Sequence, residues 1–129
     1  MSTRLLSLTK VAFKIRAHGY ELFELMKFLE DVHKRQIRLT DERQEHIKTQ
    51  HPEMSGQVER ISETLSDPDR IIRTISDPNV EMFYRYYEVT PVTKKYLCVL
   101  VKVLADDAFI ITAYFTDTVK RGELLWRKK

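Results

Sequence analysis

Near residue 68 the spacing of apolar residues changes, and that change constrains the fold more than any other feature of the chain. Before it, apolar positions recur at steps of three and four; after it, they recur at steps of two. Leu22, Leu25, Met26, Leu29 and Val32 keep the first period, with Glu21, Glu24, Lys27, Glu30 and Asp31 between them, which predicts a helix over residues 20–34. Leu5, Leu8, Ala12 and Ile15 predict an earlier helix, with Gly19 as its C-terminal stop. Residues 36–39 read as a short extended piece with Ile37 and Leu39 on one side. Thr40 then caps a third helix whose first turn carries Asp41 and Glu42 and which Pro52 ends. Ser55 is expected to cap a fourth helix running to about residue 65, striped by Val58, Ile61 and Leu65.

Past the turn at residues 66–69, the segments 70–75, 80–89, 94–104 and 109–116 are rich in β-branched and aromatic residues and predict four strands. The links 76–79, 90–93 and 105–107 suit antiparallel hairpins and are too short for helical crossovers. Residues 123–127 are a fifth strand or a terminal extension. Helices first and sheet second predict an α+β domain, with N-terminal helices packed on one face of a C-terminal four- to five-stranded antiparallel meander. At 129 residues and 43% apolar content the chain suits one compact unit, divided into an N-terminal helical extension, 1–35, and an α+β domain, 36–129.

Cys98 is the single cysteine, so neither an internal disulfide nor a Cys-rich zinc site can be written, and a reducing cytoplasm is the expected compartment. The apolar run 5–13 is interrupted by Ser7, Thr9 and Lys10, which suits neither a secretory segment nor a membrane span. Net charge is +3, but residues 120–129 hold five Lys or Arg against Glu123, so the remainder stands at −1. A basic terminus on a balanced domain suits either phosphate contact or plain solvation.

Gly19, Gly56 and Gly122 lie too far apart for a phosphate-binding glycine loop, and no nucleotide cofactor is expected. His46 and His51 are five residues apart, about 140° around a helix, which does not suit two metal ligands on one face, and no metal is expected. In the strand 109–116, Phe109, Ile111, Ala113 and Phe115 alternate with Ile110, Thr112, Tyr114 and Thr116. One side should therefore be oily and the other lined with hydroxyls, and the second is the candidate site.

The stretch 38–54, with its two histidines ahead of Pro52 and Glu53, stands in order with Asp67-Pro68-Asp69, Met82-Phe83-Tyr84-Arg85, the strand 96–102 and Thr112-Ala113-Tyr114. Together they resemble the phage and mobile-element branch of the barnase, EndoU, colicin and RelE-type nuclease superfamily over about residues 36–129. The resemblance implies a metal-independent endoribonuclease, a toxin or mobile-element effector acting on RNA and restrained by an antitoxin or immunity protein, with no membrane role. It implies His46 or His51 as acid or base, Arg85 or Lys102 as the cation, Thr112 and Tyr114 as hydroxyl donors, and Arg43, Lys102 and Lys120 as substrate contacts. The family pattern carries an aromatic after the helix arginine, where this chain has Gln44.

Each residue also has a structural use. His46 and His51 suit hydrogen bonds at a helix end, Arg85 suits cation-π packing between Tyr84 and Tyr86, and Lys102, Thr112 and Tyr114 suit a solvated strand face. His18 and His33 read as surface residues, and Cys98 and Trp126 as packing residues. If Ile47 anchors the third helix, His51 lies about 40° from the same direction and reaches the rim of the sheet, whereas His46 flanks the buried seam. The competing function is a non-catalytic RNA-binding or protein-interaction module in which Tyr84, Tyr86 and Tyr87 form a stacking surface used with the basic terminus.

Overall fold

The computed structural model describes residues 9–17 and 20–129, with side chains from Leu25 onward. Its strands are β1 (Thr9–Ala17), β2 (Tyr20–Glu30), β3 (Gln36–Thr40), β4 (Arg70–Arg73), β5 (Val80–Tyr86), β6 (Tyr96–Val103), β7 (Ala108–Thr116) and β8 (Glu123–Arg127). Between β3 and β4 lie α1 (Asp41–Gln50), a short 3-10 turn (Pro52–Met54) and α2 (Val58–Ser66). The eight strands form one sheet in the order β1-β2-β3-β7-β6-β5-β4-β8. It is a mixed sheet, because β3 runs parallel to β7 while every other pair is antiparallel.

This overturns the expectation of N-terminal helices packed on a four- to five-stranded antiparallel meander. The helix predicted over 20–34 is the strand β2 and a turn, and the helix predicted from Leu5 is, over its described part, β1; residues 5–8 and the expected stop at Gly19 lie outside the described residues. For β2 the cause is two-sided burial. On β2, Met26 and Leu29 point to opposite faces of the strand and both are buried, so the alternation that marks a half-exposed strand is lost. Apolar residues on both faces of a strand give steps of three as readily as a helix does.

The expected third helix is present as α1. The Thr40 side chain accepts the backbone N–H of Arg43 at 3.0 Å, and Asp41 and Glu42 occupy the first turn. Ser55 does not cap α2, which starts at Val58 after Gln57 without a side-chain cap. The hairpins β4-β5-β6-β7 pair in antiparallel register, and residues 123–127 form a strand that joins the sheet beside β4 rather than beside β7.

The helices cover one face. Ile47 of α1, Met54, and Ile61 and Leu65 of α2 close over Leu29, Ile71, Phe83, Val99 and Phe115 of the sheet. The opposite face carries a smaller cluster of Ile72, Met82, Tyr84 and Cys98, flanked by Leu100, Tyr114 and Val119. What covers it is the link between β7 and β8, residues 117–122. Thr116 is level with Tyr86, whereas Glu123 is level with Glu81 on the same β5. Crossing four strand intervals while climbing along β5 requires a diagonal of about 25 Å, which is about the reach of seven extended residues. The link is therefore a taut strap laid across the sheet. At its far end, a Cβ on Gly122 would lie 2.2 Å from the Arg73 carbonyl and 2.6 Å from Ile72 Cγ2, so only glycine fits against the edge of β4.

Candidate active site

The faces of β7 are set by a bulge. Leu100 pairs with Thr112 but Val101 with Ile110, so Ile111 is an extra residue on the bulged strand. The bulge resets the alternation partway along. Ala108, Ile110, Ala113 and Phe115 are buried under the helices, whereas Phe109 and Ile111, expected on the oily side, are only half-buried. Beyond the bulge the expected division holds, with Thr112, Tyr114 and Thr116 opposite Ala113 and Phe115.

Tyr114 stands in a row that runs straight across three strands. Tyr84 pairs with Cys98, and Cys98 with Tyr114, all on the strap side. The Tyr84 side chain is fully buried; its hydroxyl donates to Met82 Sδ at 3.4 Å and accepts the backbone N–H of Lys120 at 3.1 Å. Burial pushes the Cys98 thiol up to about 11, against the pull of the Tyr84 and Tyr114 hydroxyls and, less, of the Lys120 charge. Burial, and then the neighbouring Cys98, raises the Tyr114 phenol above its ordinary value, so at neutral pH it is an O–H donor and not a phenolate.

His51 reaches this row around the edge of the sheet. Only Arg38 of β3 is in register with β7, opposite Phe109, so further along β7 the α1 helix and the turn after it lie beside the strand. His51 closes α1, its backbone N–H bonded to the Ile47 carbonyl at 2.7 Å, and Pro52 turns the chain away. The imidazole is half-buried and lies 5.3 Å from the Tyr114 ring, centroid to centroid, at 39°. Glu53 Oε2 is 3.9 Å from its Nδ1. A proton carrier with an acidic neighbour thus sits beside a neutral phenol, with Thr112 two residues along and the Lys120 backbone bonded to Tyr84 in the same row.

The other candidate residues lie elsewhere. Arg85 follows Phe83 onto the helix side, where its guanidinium donates to the Asp67 carbonyl at 2.6 Å and carboxylate at 2.9 Å, approaches Glu63 at 3.4 Å, and lies over Tyr87 at 5.4 Å. The sheet separates it from Thr112 and Tyr114, and the expected packing between Tyr84 and Tyr86 does not form. Burial opposes the charge on Asp67, but Lys128 and Arg85 together hold its carboxyl below the usual range. Lys102 is tied to Asp77 at 2.6 Å, about 13 Å along β6 from Cys98. His46 is exposed on α1. Arg43 lines a cavity of about 190 Å³ with Arg38, Thr40, Glu42, Phe109 and Ile110. Gln44, which stands where the family pattern has an aromatic, accepts a hydrogen bond at 2.7 Å from the buried Lys27. Among the described residues no three His, Cys, Asp or Glu side chains gather as a metal set would, and no helix is long and apolar enough to cross a membrane.

No family model, curated protein or solved structure matches this chain. The site therefore rests on its own geometry and on the motif resemblance. Sequence reasoning missed the Tyr84-Cys98-Tyr114 row and the placing of Lys120 over it. The signal was there in part, because hairpin pairing of the four predicted strands brings Tyr84, Cys98 and Tyr114 close to one level. What it lacked was the strap.

Proposed function

We propose that this protein is an endoribonuclease that cuts RNA by attack of the substrate's own 2′-hydroxyl, with His51 and Tyr114 at its centre. The observation that supports this is the approach of the His51 ring to the Tyr114 ring at the edge of β7. His51 takes the 2′-hydroxyl proton as the 2′-oxygen bonds to phosphorus, and the bond to the 5′-oxygen breaks, that oxygen leaving with a proton from solvent. The Tyr114 and Thr112 hydroxyls donate to the phosphate oxygens as charge builds, and Lys120 supplies the positive charge. The products are a 2′,3′-cyclic phosphate and a free 5′-hydroxyl. The resemblance extends the proposal to a cytoplasmic toxin or mobile-element effector with an antitoxin or immunity protein as its partner.

The competing RNA-binding module is weakened by the burial of its aromatic surface. Tyr84 is fully buried and Tyr87 lies beneath Arg60 at 4.4 Å, so of the three tyrosines only Tyr86, 45% exposed, can stack on a base. The test is incubation of the purified protein with single-stranded RNA and with the all-deoxy strand of the same sequence, both in EDTA. Cleavage of the RNA alone is expected, since the reaction needs the 2′-hydroxyl and no step uses a metal. Equal cutting of both strands, or loss of cutting in EDTA, contradicts the proposal.

A further inference from the structure

The cavity at the start of α1 stands apart from the His51 and Tyr114 pair, and it is built from two arginines and an aromatic, one of the arginines being Arg43, which the resemblance makes a substrate contact. The Arg38 guanidinium lies 5.0 Å from the centre of the Phe109 ring, and Asp107 holds it there through Nη2 at 2.8 Å and Nε at 3.5 Å. Arg43 lines the same cavity of about 190 Å³, half-buried, and among the described residues its guanidinium has no carboxylate or hydrogen-bond partner. The cavity also holds Thr40, whose hydroxyl oxygen is engaged as the α1 cap, and the exposed Glu42. Arg38 is already neutralised by Asp107, and five N–H donors remain on Arg43. A planar fork of that kind recognises phosphate oxygens.

The cavity's position gives it a use. It touches Phe109 and Ile110 at one end of α1, while His51 touches Tyr114 at the other, and a helix of ten residues separates the two by about 15 Å. Arg43, His46 and Gln50 fall at steps of three and four along one side of α1, and the last two are exposed, so a polar stripe joins the two ends. We propose that this cavity is a second phosphate subsite, in which Arg43 holds a backbone phosphate of the same RNA strand a few nucleotides away from the bond cut at His51. The proposal rests on the ribonuclease function for the identity of the strand.

Arg43→Gln removes the charge at a half-buried position outside the His51 and Tyr114 pair. The ligand for the test is a 2′-O-methylated decanucleotide, which 2′-hydroxyl attack cannot cut, and its binding is followed by fluorescence anisotropy across a salt series. Expected are roughly tenfold weaker binding at low salt and a plot of log K against log salt shallower by about 0.7, the value for one lost phosphate contact on a single strand. In parallel, KM for a cleavable ribo-decamer should rise with kcat unchanged, while turnover of a dinucleotide, which is too short to reach Arg43, should match wild type. Arg43→Lys should recover part of the binding. Wild-type binding and salt slope in a folded Arg43→Gln overturn the subsite, and if the wild-type protein still cuts RNA the ribonuclease function is untouched. Arg43-dependent binding by a protein that cuts nothing keeps the subsite and removes the ribonuclease function.

Discussion

His51 and His46 differ in what surrounds them, and their substitutions should differ accordingly. His51 is packed on Tyr114 beside Glu53, whereas His46 stands exposed on α1. His51→Ala is expected to slow RNA cleavage by roughly 10²-fold or more. His46→Ala should change stability by no more than about 0.5 kcal/mol and cleavage only a few-fold, which parallel thermal melts and rates would check. Tyr114→Phe keeps the ring against His51 and removes only the donor, so the rate should fall while stability stays within about 1 kcal/mol of wild type. Cys98 offers a test by pH. Burial raises its thiol from 9.0 to about 11, so the folded state holds the proton more tightly than the unfolded chain. That contribution, about 3 kcal/mol, is complete below pH 9 and lost as pH rises through 11. Urea melts between pH 8 and 11 should therefore show a steeper alkaline loss in wild type than in Cys98→Ala, and parallel curves would contradict the buried row.

Among the elements, β7 and the strap decide where the site lies. Because the bulge turns Ile110 inward, Ile110→Ala should cost about 2–5 kcal/mol and Ile111→Ala clearly less, measured by denaturant unfolding. Gly122→Ala drives a methyl group into the Arg73 carbonyl and should cost about 1–3 kcal/mol or more by lifting the strap from β4. The sequence is legible where one local interaction decides an element. Thr40 with Asp41 and Glu42 marks the start of α1, and Pro52 marks its end. The period-two segments mark β4 to β7 for the same reason. It is misleading where distant parts decide. Whether Met26 and Leu29 sit on a coil or an extended chain depends on what covers both faces of β2, and the reset at Ile111 depends on pairing with β6. Neither can be read from the segment itself. For the site, Thr112, Tyr114 and His51 are legible as residue types in motif order. The removal of Arg85 follows from which face of the sheet α2 covers, which the sequence does not state.

At the scale of the molecule, the sheet divides the work between its faces. The helix side holds the main core and the Arg85, Asp67 and Glu63 cluster; the strap side holds the tyrosine-cysteine row. His51 reaches from the first to the second around β7, where β3 leaves the strand edge to α1. Residues on the helix face should therefore affect stability, and residues at the β7 edge should affect rate. The measurement that separates these most directly is a double-mutant cycle on RNA cleavage with His51→Ala, Tyr114→Phe and the pair, each checked for folding by thermal melt. The predicted result is three folded proteins in which each single change slows cleavage and the pair is barely slower than His51→Ala alone, because both groups serve one transition state. A folded His51→Ala that cuts RNA at the wild-type rate would contradict the placing of the catalytic centre at the edge of β7.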